Sequence, residues 1–158
     1  VEVVFDIEAN GFLGEATKVH CISIAIDSME PTVCHGKELG WALDMMYEAD
    51  TLIGHNIIGY DLPVLQQLLS YRTRSDQSIR DTFILSRMLW PDLYAVDSDN
   101  KKIPRKLWGS HSLEAFGYRV GVEKGELDNF DELTDEMLEY CKQDALVTRS
   151  LWEVCKKK

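Results

Sequence analysis

The sequence lacks the features of several protein classes. No apolar run approaches the roughly 20 residues that a membrane-spanning helix requires, and the N-terminus has no basic-then-apolar signal peptide. Glycine and proline, at 10 and 4 residues, are too few for a disordered or fibrous chain. The four cysteines have no Cys-x-x-Cys spacing and indicate free thiols in a reducing compartment rather than a zinc site or disulfides. We therefore expect a soluble, cytoplasmic protein without a membrane partner.

Positive charge is also scarce. The chain has 17 Lys and Arg against 27 Asp and Glu, a formal net charge of -10. This balance argues against a protein that is held to nucleic acid by bulk positive charge. With 158 residues and 45% hydrophobic content, the chain is expected to form one domain that spans residues 1–158.

The hydrophobic pattern predicts an α/β domain. Three β-rich runs at 1–7, 19–26 and 32–34 are typical of an antiparallel meander, and the first is apolar on both faces, as in a central strand. Further elements are expected as strands at 51–54 and 79–81 and as helices at 38–48, from 61, at 82–89, at 111–116 and at 134–155. The polar stretch 91–108 is predicted to be a long surface loop. A mixed central sheet flanked by helices follows.

Two carboxylates stand at the end of the first predicted strand. Asp6 and Glu8 are two residues apart, so the strand period places them on one face. Like charges beside a buried strand are costly unless a cation neutralises them. A solvated strand face would explain the pair alone equally well, but ligands gather at the carboxyl ends of strands in α/β sheets. The pair is therefore a candidate cation site.

Two further acids occupy suggestive positions. Asp61 follows a short strand and starts a helix, where it can act as an N-cap and still leave one oxygen for a ligand. Asn56 and Tyr60 precede it and offer an amide and an aromatic ring for a sugar or base. In the last helix, Tyr140 and Asp144 are four residues apart and share the core-facing side. Each feature alone is explained as readily by capping or packing.

Together, these motifs resemble the DEDD superfamily of 3′-to-5′ exonucleases. The chain has, in that family's order, the motifs Asp-x-Glu, Asn…Tyr-Asp and Tyr-x-x-x-Asp. Glu139 occupies the position where the histidine subclass would have His, which favours the tyrosine subclass. Longer segments resemble the proofreading exonuclease domain of phage-type family A DNA polymerases, at 6–11, 80–82, 85–87, 109–119 and 140–144. No polymerase domain follows Lys158, so we expect an excised domain or a stand-alone nuclease, with a polymerase in cis or in trans.

The resemblance implies a ribonuclease H-like fold and hydrolysis with two divalent ions, Mg²⁺ or Mn²⁺. It implies that Asp6 bridges both ions, that Glu8 and Asp144 complete the site of the ion that activates water, and that Asp61 reaches the other ion through water. Tyr140 would orient the attacking water, because its hydroxyl is a donor rather than a base at neutral pH. Carboxylate oxygens suit both metals.

Candidate substrate contacts follow from the same resemblance. An apolar side chain shortly after Asp-x-Glu wedges between the last bases in these enzymes, which implies Phe12, with Leu13 second; a core position is the alternative for Phe12. Asn56 and Tyr60 would contact the terminal nucleotide. One basic cluster lies beside Trp108 and consists of Lys101, Lys102, Arg105 and Lys106. It is either a solvated loop or a contact for the phosphates of a single strand.

These observations lead to a metal-dependent 3′-to-5′ exodeoxyribonuclease that removes mononucleotides from single-stranded DNA, with a proofreading role in phage-type replication. Two alternatives stay open. An exoribonuclease of the RNase D or oligoribonuclease kind would use the same acids, and a catalytically silent module would only bind a strand end or a partner protein. The presence of all four acids and Tyr140 weighs against silence. The four histidines are expected to be structural or surface residues, and Asp81 an N-cap outside the metal site.

Overall fold

Five strands form one mixed sheet in a computed structural model, which describes residues 1–100, 102–122 and 124–158. The strands are β1 (Glu2–Ala9), β2 (Val19–Ile26), β3 (Thr32–His35), β4 (Thr51–Gly54) and β5 (Ser78–Asp81). Their order in the sheet is β3-β2-β1-β4-β5. The first three strands are antiparallel to one another, whereas β4 pairs in parallel with both β1 and β5. The predicted meander and mixed sheet are confirmed.

Six α-helices flank the sheet in the described part of the chain. They are α1 (Leu39–Glu48), α2 (Leu62–Leu69), α3 (Thr82–Leu89), α4 (Leu93–Ser98), α5 (Leu113–Val120) and α6 (Asp135–Cys155). A turn of π-helix, Ile57–Asp61, precedes α2. None of these helices combines the length and the apolarity that crossing a membrane would require.

The alternation of side chains along β1 gives the sheet two different faces. Val3, Phe5 and Ile7 belong to the larger core cluster, which also contains buried residues of α1 and α2. Val4 belongs to a second cluster, which contains Leu151 of α6. Because Asp6 and Glu8 are two and four residues beyond Val4, they lie on the face that α6 covers.

The prediction of a loop over residues 91–108 is wrong in part, because α4 lies within it and residues 105–107 form a 3-10 turn. Buried Asp97 organises this segment: its carboxylate accepts hydrogen bonds from the Gly109 amide at 2.8 Å and from two nitrogens of Arg119 at 3.0 and 2.6 Å. These partners are 12 and 22 residues away, so a local polar pattern could not reveal them. The helix predicted at 111–116 also runs further, to Val120.

Candidate active site

Strand β1 presents its two acids at the end of the sheet that faces α6. Its parallel pairing with β4 extends only from Glu2 to Val4, whereas its antiparallel pairing with β2 continues past Glu8. The last residues of β1 therefore run beyond β4, towards the π-turn and beneath α6. The Cys141 thiol of α6 lies 3.6 Å from Asp6 Oδ2, which fixes the helix directly against this carboxylate. Glu8 is buried, at 7% exposure.

Asp81 shapes the turn that leads to Asp61. Its carboxylate accepts from the Asn56 amide at 2.9 Å and the Ile58 amide at 3.0 Å, and it also caps α3 through the Phe83 amide at 3.0 Å. The prediction that Asp81 is an N-cap is confirmed, and the same carboxylate additionally ties the turn after β4 to β5. With several backbone donors already bound, Asp81 is poorly suited to a metal.

Asp61 is buried, at 4% exposure, at the end of the π-turn. The interpretation of Asp61 as an N-cap is wrong, since its side chain accepts no capping hydrogen bond at the start of α2. A buried acid that is not used for capping has its oxygens available for another partner. The placement of Asp61 at the carboxyl end of β4 brings it to the same edge as the acids of β1.

Helix α6 supplies the fourth acid and the tyrosine. Thr134 begins this helix by accepting a hydrogen bond from the Met137 amide at 3.2 Å. Asp144 is buried, at 5% exposure, and its Oδ1 has no hydrogen-bond partner among the residues that the structure describes. Tyr140 is half-buried, and its ring meets the edge of Phe130 at a centroid distance of 5.9 Å. Tyr140 and Asp144 thus point to one site from successive turns.

Lys124 completes the cluster, and sequence reasoning missed this residue. Its Nζ lies 3.4 Å from Asp144 Oδ2 and donates a hydrogen bond to the Tyr140 hydroxyl. The residue belongs to an irregular segment between α5 and α6, 16 positions before Tyr140. Neither periodicity nor a local motif connects such a lysine to the acids.

The four acids affect one another electrostatically. Burial, followed by the charge of Asp144, raises the pKa of Glu8 to about 8 and raises that of Asp6 well above its usual range. Burial and the charge of Asp6 raise the pKa of Asp61 in the same way. Burial raises the pKa of Asp144 to about 6, against the lowering effect of Lys124. The structure therefore brings together the four acids that the sequence singled out.

This arrangement fits divalent cations. The ligand atoms of Asp6, Glu8 and Cys141 lie within 4.8 Å of one another, and within the described ranges the neighbouring Asp144 Oδ1 is a buried acceptor without a donor. Buried carboxylates that repel one another become stable when a cation is placed among them. Oxygen ligands of this kind are those that Mg²⁺ and Mn²⁺ prefer. The roles of the individual acids toward each ion remain predictions.

The loop after β1 exposes two apolar side chains next to this site. Phe12 is 80% exposed and Leu13 is 46% exposed, so the alternative that placed Phe12 in the core is wrong. The Tyr60 hydroxyl donates to the carbonyl of Gly11 at 2.6 Å and thereby joins the loop to the π-turn. Asn56, at the start of that turn, is exposed. Tyr60 also interacts electrostatically with Asp61, Glu8 and Asp6, so the turn and the loop meet beside the acid cluster.

The basic cluster is only partly near the site. Lys102 lines a cleft of about 820 Å³ whose walls also include Lys124 and Tyr140. Arg105 is exposed and lies over the Trp108 ring, 5.9 Å from its centroid, and Lys106 is exposed on the same turn. Within the described part of the chain, neither of these two contributes to the cleft. Lys101, the fourth predicted member, lies outside the described residues.

Two of the histidines form a structural network beside the site, as predicted. His55 contacts the Thr82 hydroxyl and the His111 carbonyl, both at 2.8 Å. His111 in turn contacts the Ser86 hydroxyl at 2.9 Å. Burial lowers the pKa of His55 to about 4, so this imidazole is neutral at physiological pH. The network joins α3 to the start of α5.

Two phage DNA polymerases are similar to this chain in sequence. The chain is 32% identical over 183 residues to a DNA-directed DNA polymerase of Escherichia phage T7, and 32% identical over 184 residues to that of Enterobacteria phage T3. Each alignment covers 96% of this chain and 26% of the polymerase, so the chain spans about a quarter of the length of these relatives. No protein-family model matches the chain.

Solved nuclease structures share the fold at low sequence identity. NrnC of Brucella melitensis with bound Mg²⁺ superposes with a TM-score of 0.67 at 18% identity, covering 99% of this chain and 72% of that one. RNase D of Escherichia coli, an exoribonuclease involved in structured RNA processing, gives a TM-score of 0.56 at 18% identity, covering 99% and 40%. The expected ribonuclease H-like fold is confirmed by these likenesses.

Proposed function

The chain is homologous to a segment of the phage T7 and T3 DNA polymerases, and from this relationship we propose that it is a metal-dependent 3′-to-5′ exonuclease acting on single-stranded DNA. The observation that carries the proposal is the convergence of four acids from β1, the π-turn and α6, of which Glu8, Asp61 and Asp144 are buried and Asp6 is partly buried, with the Tyr140 hydroxyl beside them. Mg²⁺ is present in NrnC, which has the same fold.

Four acids would hold the metal. Asp6 is electrostatically linked to both sides of the cluster, because Asp144 and Glu8 raise its pKa and its own charge raises that of Asp61. Asp6 would therefore hold divalent ions together with Glu8 and Asp144 on one side and Asp61 on the other. Two divalent ions in such a site supply a hydroxide at neutral pH and stabilise charge on the leaving oxygen.

Tyr140 would act on the attacking water. Burial raises its pKa further above 10, so the hydroxyl stays protonated at neutral pH and donates a hydrogen bond rather than accepting a proton. Tyr140 lies one helical turn from Asp144, and the Lys124 ammonium contacts both side chains, so the hydroxyl is beside an acid that would hold metal. The expected role is orientation of the nucleophile toward the phosphorus atom.

The loop and the π-turn would hold the last nucleotides. Phe12 is free to stack on a base because it is 80% exposed, and one such contact contributes about 1 to 3 kcal/mol with little sequence preference. Tyr60 and Asn56 would contact the terminal sugar and base. Lys102 would hold a phosphate along the cleft that reaches Tyr140. Binding would depend on salt, since the phosphate contacts are ionic.

The polymerase relationship supports DNA as the proposed substrate and proofreading as the proposed role. We propose that residues 1–158 form the exonuclease domain and act with a polymerase in cis or in trans. RNA is the second candidate substrate, since RNase D shares the fold and the four acids do not distinguish the two sugars.

The test uses 5′-labelled single strands of matched sequence, one DNA and one RNA, with Mg²⁺. We expect a descending ladder of DNA products that disappears with chelator and in Asp6→Ala/Glu8→Ala. Faster degradation of the RNA strand would replace DNA by RNA as the proposed substrate. An intact DNA strand, or cleavage that survives the double substitution, would refute the mechanism.

A further inference from the structure

Lys124 is a cation inside a site that is built to hold other cations. Its side chain is only 18% exposed. Its Nζ pairs with Asp144 Oδ2 at 3.4 Å, donates to the Tyr140 hydroxyl and lies 4.3 Å from the centroid of the Tyr140 ring. Among residues 1–100, 102–122 and 124–158, it is the only basic side chain paired with one of the four acids.

The backbone around Lys124 is held in place by close packing on α5. The helix ends at Gly121 in the left-handed region, with φ of 73°, and the Val122 amide donates to the Gly117 carbonyl at 3.0 Å. A Cβ added at Gly117 would come within 2.8 Å of the Val122 carbonyl oxygen and 3.5 Å of the Lys124 amide. The chain can therefore approach the helix this closely only because residue 117 is glycine.

A buried ammonium group needs compensation, and the site provides it. Removal of the ammonium from water is offset by the charge of Asp144, by the Tyr140 oxygen and by the face of the Tyr140 ring. The compensation is mutual, because Lys124 supplies positive charge to a group of acids that repel one another. In the metal-free protein this lysine performs part of the neutralisation that a metal ion would provide.

We propose that Lys124 is a positioning residue with two effects: it holds the Tyr140 hydroxyl in its reactive place, and it competes with a divalent ion for Asp144. The first effect rests on the proposed exonuclease function. The second requires only that the four acids bind metal.

The two effects oppose each other when the charge of Lys124 is removed. Metal should bind more tightly to Lys124→Met, because a competing positive charge is gone while α6 still holds Asp144 in place. Hydrolysis at saturating metal should nevertheless be slower, because the Tyr140 hydroxyl has lost its partner. Loss of an outer partner of this kind typically costs about 10- to 100-fold in activity. If Lys124 had a merely structural role, its removal would not tighten metal binding.

The experiment compares wild type, Lys124→Met and Lys124→Arg, with Lys37→Met as the control. Lys37 is exposed on a turn before α1, so its substitution removes one positive charge without touching the site. Mg²⁺ and Ca²⁺ affinities are measured by calorimetry and by the rise in melting temperature with metal concentration. Single-turnover hydrolysis of a labelled DNA strand is measured at saturating Mg²⁺.

For Lys124→Met we expect a lower melting temperature without metal, half-saturation at a severalfold lower metal concentration, and a fall of about 10- to 100-fold in the hydrolysis rate with little change in KM. Lys124→Arg keeps the charge and should retain wild-type metal affinity, while its different geometry slows hydrolysis. Lys37→Met should match wild type in every measurement.

Unchanged or weaker metal binding by Lys124→Met would overturn the competition, and a wild-type hydrolysis rate would overturn the positioning role. If Lys124→Met fails to fold without metal, Lys124→Gln takes its place, since it keeps a donor for Tyr140 without the charge. If the wild type binds metal but does not cleave DNA, the proposed function fails, and the metal titrations alone still decide whether Lys124 competes.

Discussion

The interface between α6 and the sheet has two ends of opposite character. At one end, Val4 and Ile53 of the sheet pack against Leu151 and Trp152 in an apolar cluster. At the other end, the same strand and the same helix bring together carboxylates, among them Asp144. The apolar end gains stability by burying surface, whereas the acid end buries groups that repel one another.

One pair of elements supports both ends because their periods agree. Val4 and Asp6 are two residues apart on β1, and Asp144 and Leu151 are seven residues apart on α6, so each pair lies on one face. The rigid apolar packing therefore fixes the distance at which the acids face one another. The stability gained at the apolar end of the interface therefore offsets the cost of placing unneutralised acids at the other end.

Asp6→Asn should show the largest effect and should separate the two ends. The substitution keeps the shape of the side chain but removes a charged metal ligand. Since metal catalysis supplies several kcal/mol of transition-state stabilisation, we expect hydrolysis to fall by about a thousandfold or more, roughly 4 kcal/mol. The metal-free protein should be at least as stable as wild type, because one of the repelling charges is gone. Rate assays and thermal melts with chelator measure the two effects.

Leu151→Ala is the matched change at the apolar end. Leu151 is 1% exposed, and truncation of a buried leucine costs about 2 to 5 kcal/mol in the free energy of unfolding. Denaturant titration should show this loss, while folded molecules well below the melting temperature should keep a nearly normal hydrolysis rate. If Leu151→Ala lost activity without losing stability, the positions of the acids would depend directly on this contact, and the two ends of the interface would not be separable.

The sequence was sufficient for the features that depend on short spacing. The alternation of β1 placed Asp6 and Glu8 on one face, the helical period placed Tyr140 with Asp144, and the N-cap position of Asp81 was visible from its neighbours. The order of these motifs was enough to identify the polymerase relationship.

Features that depend on partners distant in the sequence could not be predicted from it. Helix α4 lies in a segment whose polar residues suggested a loop. The partners of the Asp97 carboxylate in the described residues are Gly109 and Arg119, which are too distant in sequence for a local pattern to reveal them. Lys124 reaches the acids from an irregular segment with no period of its own. In each case one charged side chain is buried by a partner that only the folded chain brings near.

Phe12→Ala tests the edge of the acid end and should have a smaller effect. Because Phe12 is 80% exposed, its removal should leave the melting temperature unchanged. Loss of one stacking contact should weaken binding of a single strand by about 1 to 3 kcal/mol. The measurement is fluorescence anisotropy with a labelled strand and Ca²⁺, and unchanged affinity would remove Phe12 from the substrate contacts.

A change of pH should perturb the acid end and give the smallest effect, a shift of the metal-free melting temperature. Folding raises the pKa of Glu8 from 4.5 to about 8 and that of Asp144 from 3.8 to about 6. The folded state therefore binds more protons than the unfolded state, so this contribution to stability is present below pH 4 and is lost as pH rises through 6 and then 8.

Metal should counteract this loss of stability, because Mg²⁺ binds the deprotonated carboxylates and binds them more tightly as pH rises. Above pH 6.5, His55 is neutral in both the folded and the unfolded state and does not contribute. We expect thermal melts with chelator to fall from about pH 6.5 toward 8, and melts with saturating Mg²⁺ to fall much less. In Asp6→Asn the fall with chelator should be smaller, whereas in Leu151→Ala the whole curve should move down with its slope preserved. If the slope of melting temperature against pH changed in Leu151→Ala but not in Asp6→Asn, the titrating groups would lie outside the acid end, and the proposed difference between the two ends would be wrong.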